Sequence, residues 1–301
     1  MVYDLIIIGM GPGGMNAAIY ARRQDLKTLV IGELKGGQIT YAHKVCNYMG
    51  FEEINGLDLA EKFFLHMKNL GTDVIFSKVK DVKKYKDHFK VVLSNNDEIE
   101  GKKIIFATGA KRRKLNVIGE DKFLGRGVSY CATCDAAFFK DKIVAVVGGG
   151  NSALTAALLL SEYAKLVYLI HRRNEFRAEK AWIDEVNRSS KIKKVLNEEV
   201  KEIKGKFVVE SVVLKSGKEI NVNGIFIEIG TIPNNELCLK LGVNVDKKRY
   251  VKVNEKQQTN IKGIYAIGDL TGGLMQIITA ASEGAIAATN VYEELKSEGK
   301  I

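Results

Sequence analysis

The chain has 301 residues, of which 46% are hydrophobic and 27% charged, a composition that excludes an intrinsically disordered protein. This length accommodates two domains of ordinary size. The formal net charge of +10 would suit nucleic acid or a membrane surface, but the lysines are spread along the chain and often neighbour glutamates. We therefore expect a solvated mixed surface, with no nucleic-acid and no membrane partner.

The first residues carry no basic leader, and the apolar run Leu5 to Ile8 is far shorter than a signal-peptide core or a membrane span. We expect a soluble, cytoplasmic protein. The cysteines are too few and too widely spaced for a disulfide framework. They are Cys46, Cys131, Cys134 and Cys238.

The chain opens with the pattern of a dinucleotide-binding unit: an apolar run, Leu5 to Ile8, then a glycine-rich turn and a helical stretch. Gly9 permits the tight turn, Gly11 lets the backbone approach a pyrophosphate, and Gly14 lets the helix pack on the strand. The helix N-terminus then stabilises phosphate charge. Glu33 stands about 20 residues further on, where an acidic residue meets a ribose hydroxyl.

The same pattern returns in the middle of the chain, where an apolar run, Ile143 to Val147, precedes Gly148, Gly150 and Ala153. The next apolar strand, Leu166 to Ile170, ends without a carboxylate. The residues that follow are basic: His171, Arg172, Arg173 and, further on, Arg177. Arginines there suit a 2′-phosphate and favour NADP over NAD. The alternative is a solvated basic helix start.

The plausible domain breaks are the basic stretch Lys111 to Lys114 and the segment Pro233 to Cys238. Beyond the second break, a short strand, Gly263 to Ile267, and a helix from about Gln276 to Leu295 are too short for a domain, so we assign them to the first unit. The predicted fold is α/β, with two Rossmann-like (three-layer ββα) nucleotide-binding domains, the second inserted into the first. The domains are residues 1–112 with 239–301, and residues 113–238.

Cys131-Ala-Thr-Cys134-Asp135 places two thiols one helical turn apart, so that they can close a small disulfide ring. A helix beginning there would lower the thiolate pKa of the first cysteine. Zinc would need further ligands at tetrahedral spacing, and no second cysteine or histidine pair offers them, so redox chemistry is favoured over a metal site. Asp135 could exchange the proton that dithiol chemistry requires, although Asp is also ordinary at a helix start.

In this order and spacing, the segments resemble the low-molecular-weight thioredoxin reductases of bacteria and archaea along nearly the whole chain. The motifs that carry the resemblance are Gly9–Gly14, Gly36-Gly37-Gln38, Asn47, Ala107–Ala110, Cys131–Asp135, Gly148–Ala153, His171–Arg173 with Arg177, Gly230–Asn234 and Ala266–Asp269.

The resemblance implies an FAD-dependent reductase in which Cys131, Cys134 and Asp135 are catalytic. It assigns FAD to the first domain and NADPH, with the redox motif, to the second. The implied FAD residues are Gly9, Gly11, Pro12, Gly13, Gly14, Glu33, Gly37, Gln38, Asn47, Val79, Gly109, Gly268, Asp269, Gln276 and Ile277. The implied NADPH residues are Gly148, Gly150, Asn151, Ser152, Ala153, His171, Arg172, Arg173 and Arg177.

The implied reaction passes a hydride from a reduced donor to FAD, electrons to the Cys131–Cys134 disulfide, and then to the disulfide of thioredoxin or a glutaredoxin-like small protein. A homodimer serving cell redox homeostasis is implied by the same resemblance. Two rival functions remain open: an oxidase of small dithiols, and a flavin-binding redox sensor without turnover.

One departure concerns the donor. Relatives that use NADPH commonly carry a Glu-Glu pair after the second glycine motif, where this chain has Thr155 and Ala156, and Met275 replaces an arginine that often precedes the glutamine. A lost polar contact at the nicotinamide would weaken binding. NADPH stays the leading donor, and a reduced deazaflavin is the alternative.

Overall fold

The computed structural model describes residues 2–42 and 45–301, and these fall into two compact units. One contains the chain up to Lys111 and again from Ile232 onward, and the other is Arg112–Thr231. The chain therefore crosses between the two units after residue 111 and again after residue 231. This second crossing lies earlier than residues 238 and 239, where the sequence placed it. The reason is that Asn234 hydrogen-bonds to the backbone of Thr108, and Cys238 is buried in the core of the first unit.

The first unit begins with a strand whose last four residues are buried, followed by a helix that starts with proline, a residue preferred at the first helical position. Up to the first crossing the elements are β1 (Val2–Ile8), α1 (Pro12–Arg23), β2 (Thr28–Gly32), α2 (Gly56–Asn69), β3 (Asp73–Phe76), β4 (Val79–Lys84), β5 (Phe89–Leu93), β6 (Glu98–Phe106) and β7 (Ala110–Arg112). A short 3₁₀ helix, Gly37–Tyr41, follows β2.

The second unit repeats the strand, glycine turn and helix of the first. Its elements are β8 (Val128–Ser129), α3 (Ala132–Asp135), β9 (Ile143–Val147), α4 (Asn151–Tyr163), β10 (Leu166–His171), α5 (Lys180–Arg188), β11 (Ile192–Leu196), β12 (Val200–Lys204), β13 (Ser211–Leu214), β14 (Glu219–Asn221) and β15 (Gly224–Ile227). The second crossing is β16 (Thr231–Pro233), and the chain ends with α6 (Glu236–Lys240), β17 (Ile264–Ala266) and α7 (Ile277–Ser297).

The sheet of the first unit combines a parallel part and an antiparallel part. β3, β2, β1 and β6 pair in that order as parallel strands. The first half of β6 pairs antiparallel with β5, which pairs with β4, whereas its last residues pair parallel with β17. The returning end of the chain therefore completes this sheet, which explains why residues so distant in sequence form one unit.

Helices α1 and α7 pack against each other on one face of that sheet, and small residues allow the close approach. A Cβ on Gly284 would lie 2.3 Å from the carbonyl oxygen of Gly13, so only glycine fits. The Asn16 side chain donates to the carbonyl of Ala281 at 2.7 Å. Because α1 begins at the glycine turn, this packing fixes the direction in which its N-terminus points.

The second unit has the same plan. Its parallel strands pair in the order β11, β10, β9, β15, β8, and β12, β13 and β14 form an antiparallel sheet. β9 is almost entirely buried, because α4 covers one face and the antiparallel strands contribute to the core on the other. Strands of this kind appear in sequence as continuous apolar runs.

Across residues 2–42 and 45–301, no helix combines the length and the apolar character needed to span a membrane.

Candidate active site

The Cys131–Cys134 pair lies where β8 ends and α3 begins. The two cysteines form a disulfide, with their Cα atoms 5.3 Å apart. Cys131 is the N-cap residue of α3, and its Sγ accepts a hydrogen bond from the backbone N–H of Cys134 at 3.2 Å. Both residues are half-buried. The spacing of one helical turn therefore brings the two sulfur atoms together, as the sequence predicted.

Asp135 is held beside this disulfide by Ser129. The Ser129 hydroxyl donates to Asp135 Oδ2 at 2.6 Å, and its oxygen accepts the backbone N–H of Cys131 at 3.0 Å. Burial raises the pKa of Asp135, and the hydrogen bond from Ser129 opposes this rise. A carboxyl with a raised pKa keeps its proton to higher pH, which suits proton exchange with a thiol. Sequence reasoning missed Ser129.

Glu228, which follows β15, is a second carboxyl at the redox motif that sequence reasoning missed. Its backbone N–H bonds to Val147 at 2.9 Å, and its carboxylate accepts the backbone N–H of Ala132, between the two cysteines. Burial raises the pKa of Glu228 to about 7, although the Arg112 guanidinium and the Ala132 N–H act in the opposite direction. No local sequence signal marks this residue, because its position depends on the pairing of β15 with β9.

Hydrogen bonds to Glu120, which is almost fully buried, hold the segment before the redox motif in place. Its carboxylate accepts the backbone N–H groups of Leu115 and Asn116 at 2.9 and 2.7 Å, and it also accepts the Tyr130 hydroxyl. Burial and this contact raise the pKa of Tyr130, so its hydroxyl remains a donor. Glu120 thus fixes the residue that precedes Cys131.

The second glycine turn leaves open space in front of α4. Gly150 is the N-cap residue, no side chain caps the helix, and a Cβ on Gly150 would meet no atom within 4 Å. In contrast, a Cβ on Gly148 would lie 2.3 Å from the carbonyl oxygen of Glu228. The first N–H groups of α4 are therefore available to an anion such as a pyrophosphate.

The basic residues that follow β10 lie beside this turn. The backbone N–H of Arg177 bonds to the Gly149 carbonyl at 2.7 Å, and the His171 ring occupies the space that a Cβ on Gly149 would need. Burial lowers the pKa of His171, the backbone hydrogen bond with Glu175 opposes this change, and the neighbouring arginines lower the pKa further. The exposed arginines are Arg172, Arg173 and Arg177.

The remaining residues of this turn divide by environment. The Asn151 side chain bonds to both the backbone N–H and the carboxylate of Glu179, each at 2.8 Å, so it fixes the arginine-bearing segment. Ser152 is exposed, whereas Ala153 is buried against α4's sheet. At the positions that depart from the resemblance, Thr155 bonds within its own helix and Ala156 is buried in the core.

In the first unit, the glycine turn forms a cradle at the N-terminus of α1. Gly9 has a φ of +122°, and a Cβ there would lie 2.1 Å from the Ala107 carbonyl oxygen. A Cβ on Gly11 would meet nothing within 4 Å, and one on Gly37 would meet Gly11 Cα at 3.3 Å. A Cβ on Gly14 would lie 2.0 Å from the Gly9 carbonyl oxygen. These close approaches leave uncapped helix N–H groups facing open space, as a pyrophosphate requires.

Polar side chains from distant segments meet near this cradle. Gln38 Nε2 lies 2.6 Å from the Ala110 carbonyl oxygen and 3.4 Å from Asp269 Oδ2. Asn47 Nδ2 donates to Gln276 Oε1 at 3.0 Å, and Gln276 is the N-cap residue of α7. The sequence-predicted residues Gln38 and Asp269 thus come together, as do Asn47 and Gln276.

The other residues predicted for this site lie at several places in the first unit. Glu33 is exposed immediately after β2, and Val79 is buried at the start of β4. Gly109 and Gly268 have positive φ angles of 66° and 70°. Ile277, the first residue of α7, packs against the small apolar cluster that includes Ile39. Pro12 and Gly13 form the first turn of α1.

Glu283 is a further residue that sequence reasoning missed. Its carboxylate accepts the backbone N–H of Gly268 at 2.6 Å and lies 3.3 Å from Thr271 Oγ1. Burial raises the pKa of Glu283, and these hydrogen bonds oppose the rise. Glu283 thereby fixes the turn that carries Asp269. Its one sequence signal is a carboxylate within the alanine-rich first half of α7.

The donor sets fit two nucleotide cofactors. Each unit has an uncapped helix N-terminus behind a glycine turn, with space that no side chain fills. The first has carboxylate and amide groups suited to a ribose and a ribityl chain, and the second has arginines suited to a phosphate. In the part of the chain that the structure describes, no three His, Cys, Asp or Glu side chains could hold a metal ion.

Comparison with known families gives a match to the family described as pyridine nucleotide-disulphide oxidoreductase over residues 3–284. The chain belongs to the pyridine nucleotide-disulphide oxidoreductase family. The predicted α/β fold with paired nucleotide-binding domains and the predicted family resemblance are both confirmed.

Individual members of the family agree along the whole chain. A thioredoxin reductase of Listeria innocua is 41% identical over 306 residues, which cover 98% of this chain and 95% of the relative. The crystal structure of thioredoxin reductase from Streptococcus pyogenes has a TM-score of 0.93 at 38% identity, covering 98% and 99% of the two chains. A ferredoxin-flavin thioredoxin reductase from Clostridium acetobutylicum has a TM-score of 0.55 at 37% identity, with the same coverage.

Proposed function

We propose that this member of the family is an FAD-dependent thioredoxin-disulfide reductase that takes its electrons from NADPH. The observation that carries the proposal is the half-buried Cys131–Cys134 disulfide, with Asp135 fixed beside it, in the unit that also presents the second glycine turn. Its macromolecular substrate would be thioredoxin or a glutaredoxin-like small protein. The names of relatives about 40% identical support this choice.

Bound FAD and NADPH would supply the hydride and electron chemistry of the reaction. In the first unit, the N-terminus of α1 and its glycine turn would bind the FAD pyrophosphate, Glu33 a ribose hydroxyl, and Asp269, positioned by Gln38 and Glu283, the ribityl chain. In the second unit, the N-terminus of α4 would bind the NADPH pyrophosphate. The exposed arginines after β10 would bind the 2′-phosphate.

The chemistry at sulfur needs two electrons and two protons for each disulfide. Reduction breaks the Cys131–Cys134 bond, and Asp135 can deliver a proton to one of the sulfur atoms. Deprotonation then gives a thiolate that attacks the disulfide of the partner protein, forming a mixed disulfide. The second thiol of the pair displaces the reduced partner and restores the intramolecular disulfide. Atoms and electrons therefore balance over one turnover.

The proposal is tested by following NADPH oxidation with purified, FAD-loaded protein and oxidised thioredoxin. The expected result is NADPH consumption that depends on thioredoxin and produces one thioredoxin dithiol per NADPH. Oxygen consumption with a small dithiol, and no reaction with thioredoxin, would instead support the oxidase. Flavin that no donor reduces would support the redox sensor.

The arginines predict the choice of nicotinamide donor. Arg172→Ala combined with Arg173→Ala should raise the KM for NADPH by about tenfold to a hundredfold and leave the KM for NADH nearly unchanged, because only NADPH carries a 2′-phosphate. Steady-state kinetics with both donors check this. Lys180→Ala, an exposed basic change on α5, is the matched control. Equal effects on both donors would mean that the arginines do not contact the 2′-phosphate.

A separate experiment identifies the electron donor. It is needed because Thr155 and Ala156 stand where NADPH-using relatives commonly carry a Glu-Glu pair, and one relative is named a ferredoxin-flavin thioredoxin reductase. Anaerobic mixing of the FAD-loaded protein with NADPH, NADH, a reduced deazaflavin and reduced ferredoxin separates the donors. Bleaching of the flavin band is expected with NADPH, more slowly with NADH, and not with the reduced deazaflavin or with ferredoxin. Bleaching by another donor and not by NADPH would overturn the donor and leave the disulfide chemistry standing.

The glycine cradle predicts an effect on flavin without an effect on folding. Gly11→Ala adds a Cβ that meets only open space in the protein, so the thermal stability of the flavin-free protein should change little. FAD retention should fall, because that space is where we place the pyrophosphate. Gly14→Ala should disrupt folding itself, since its Cβ would lie 2.0 Å from a carbonyl oxygen. If Gly11→Ala retained its full flavin content, the FAD pyrophosphate would not bind in this cradle.

We also propose that the protein acts as a homodimer in the cytoplasm. Both points rest on the family resemblance. Light scattering of the purified protein tests the first, with a mass twice that of the 33.3 kDa chain as the expected result and the mass of one chain as the contrary one.

A further inference from the structure

We propose that Glu228 is a positioning residue of the redox motif: its carboxylate holds the Ala132 N–H, and its charge sets how readily the reduced Cys131–Cys134 pair gives up a proton. This inference rests on the disulfide chemistry of the proposed function. It concerns a residue that neither the motif nor the glycine turns contain.

The geometry places a carboxylate directly on the redox motif. Glu228 follows β15, and its backbone N–H is bonded to Val147 at the end of β9, which fixes where its side chain starts. The carboxylate accepts the N–H of Ala132, the residue that follows Cys131. Covalent geometry keeps Cys131 Sγ within about 5 Å of that nitrogen. Since a hydrogen bond spans about 3 Å, the accepting carboxylate oxygen lies within about 8 Å of the sulfur.

The surroundings of Glu228 leave its charge only partly compensated. The charged group that faces it is the Arg112 guanidinium of β7, whereas α3 contributes the Ala132 N–H and β9 contributes backbone atoms. Burial raises the pKa of the Glu228 carboxyl to about 7. Glu228 thus changes charge within the range in which a reductase works.

Two negative charges this close disfavour one another, so the carboxylate and a thiolate titrate as a coupled pair. An ionised Glu228 is expected to raise the thiol pKa of the reduced pair by about one unit. Reduction of the disulfide takes up two electrons, which the family's pyridine nucleotide supplies, and two protons. Where Glu228 is ionised, the second proton stays on sulfur to higher pH. Asp135, bonded to Ser129, is the other carboxyl at this motif.

The test is the pH profile of thiol alkylation in Glu228→Gln, which removes the charge and keeps an oxygen that can accept the Ala132 N–H. The protein is reduced anaerobically with a phosphine, freed of it, and treated with iodoacetamide from pH 6 to 9, and each cysteine is quantified by peptide mass spectrometry. Exposed Cys46 is the internal reference. Glu185→Gln, an exposed glutamate on α5, is the matched control.

At pH 6, where Glu228 is mostly protonated, wild type and Glu228→Gln should react equally. At pH 8 the variant should react about twofold to threefold faster, because about one unit of lower thiol pKa increases the thiolate fraction more than it lowers nucleophilicity. Cys46 should react equally in all proteins. A rate ratio that is the same at pH 6 and pH 8 would overturn the proposal and leave Glu228 a purely structural residue.

A second measurement uses the wild type, in case the variant does not fold. In the reduced wild type, the thiols of the pair ionise less readily once Glu228 is ionised. The logarithm of their alkylation rate should therefore rise less steeply between pH 6 and pH 8 than that of the exposed Cys46. Equal slopes for the pair and for Cys46 contradict the proposal. Neither measurement needs NADPH or thioredoxin, so failure here is distinct from failure of the reductase assay.

Discussion

Cys131→Ser and Cys134→Ser are each expected to lower thioredoxin reduction by at least about a thousandfold, since either change removes the disulfide that carries electrons to the partner. Bound FAD should remain, and NADPH should still bleach it, because the residues that we propose bind FAD lie in the first unit. The measurement compares steady-state turnover with anaerobic flavin reduction in the same preparations. This separates loss of the acceptor from loss of the cofactor.

The control for this pair is Cys46→Ser, which changes an exposed cysteine that forms no disulfide. Its turnover should match that of the wild type. If Cys131→Ser retained substantial turnover with thioredoxin, the electrons would have to reach the partner by another route. The proposed role of the Cys131–Cys134 disulfide would then be wrong.

Lys103→Met is expected to destabilise the protein by about 3 kcal/mol. Lys103 lies on β6 with 2% of its surface exposed, and its Nζ contacts Glu294 at 2.7 Å and Glu298 at 3.0 Å on α7. Removing Lys103 takes from the Glu294 carboxylate the lysine that pairs with it, whereas Glu298 keeps Lys262 and Lys300. Tyr265 also donates to Glu294 at 2.7 Å, so the cluster ties the last turns of α7 to the sheet. Urea unfolding at pH 7 measures the loss.

Lys240→Met is the matched control, because the Lys240 ion pair with Asp81 is long, at 3.7 Å, and its lysine is exposed. Its effect should be within about 0.5 kcal/mol. A loss for Lys103→Met as small as that of the control would show that the cluster adds nothing to stability.

The same cluster predicts how stability depends on acid. Burial would raise the pKa of Glu298, but hydrogen bonds from Lys262, Lys103 and Lys300 outweigh it and lower the pKa from 4.5 to about 2. A carboxyl whose folded pKa is depressed stabilises the protein above its unfolded pKa and loses that contribution as pH falls through its folded pKa. The difference between wild type and Lys103→Met should therefore shrink between pH 4.5 and pH 2. A constant difference across that range would contradict this reading of Glu298.

Much of the fold follows from local patterns in the sequence. The apolar runs before the glycine turns predicted β1 and β9, and the short run near residue 265 predicted the strand that the structure places at Ile264–Ala266. The last helix was expected from about Gln276 and begins at Ile277. These elements are specified by residues within a few positions of one another. The disulfide spacing is local in the same way.

Features that depend on distant pairing could not be predicted. The second crossing was placed too late because the bonds that assign Asn234 to the first unit come from Thr108, far away in sequence. Glu228 and Glu283 acquire their importance from the strands and turns packed against them, and Lys103 is indistinguishable in sequence from exposed lysines. Long-range contacts decide such positions, whereas propensity and periodicity describe only neighbours.

The most direct test of the account is an anaerobic titration of the oxidised, FAD-loaded protein with NADPH in the absence of thioredoxin, followed by alkylation and peptide mapping. The account predicts that the first equivalent of NADPH produces two new thiols, at Cys131 and Cys134, and leaves the labelling of Cys46 and Cys238 unchanged. A reduced flavin with the Cys131–Cys134 disulfide still intact would contradict it.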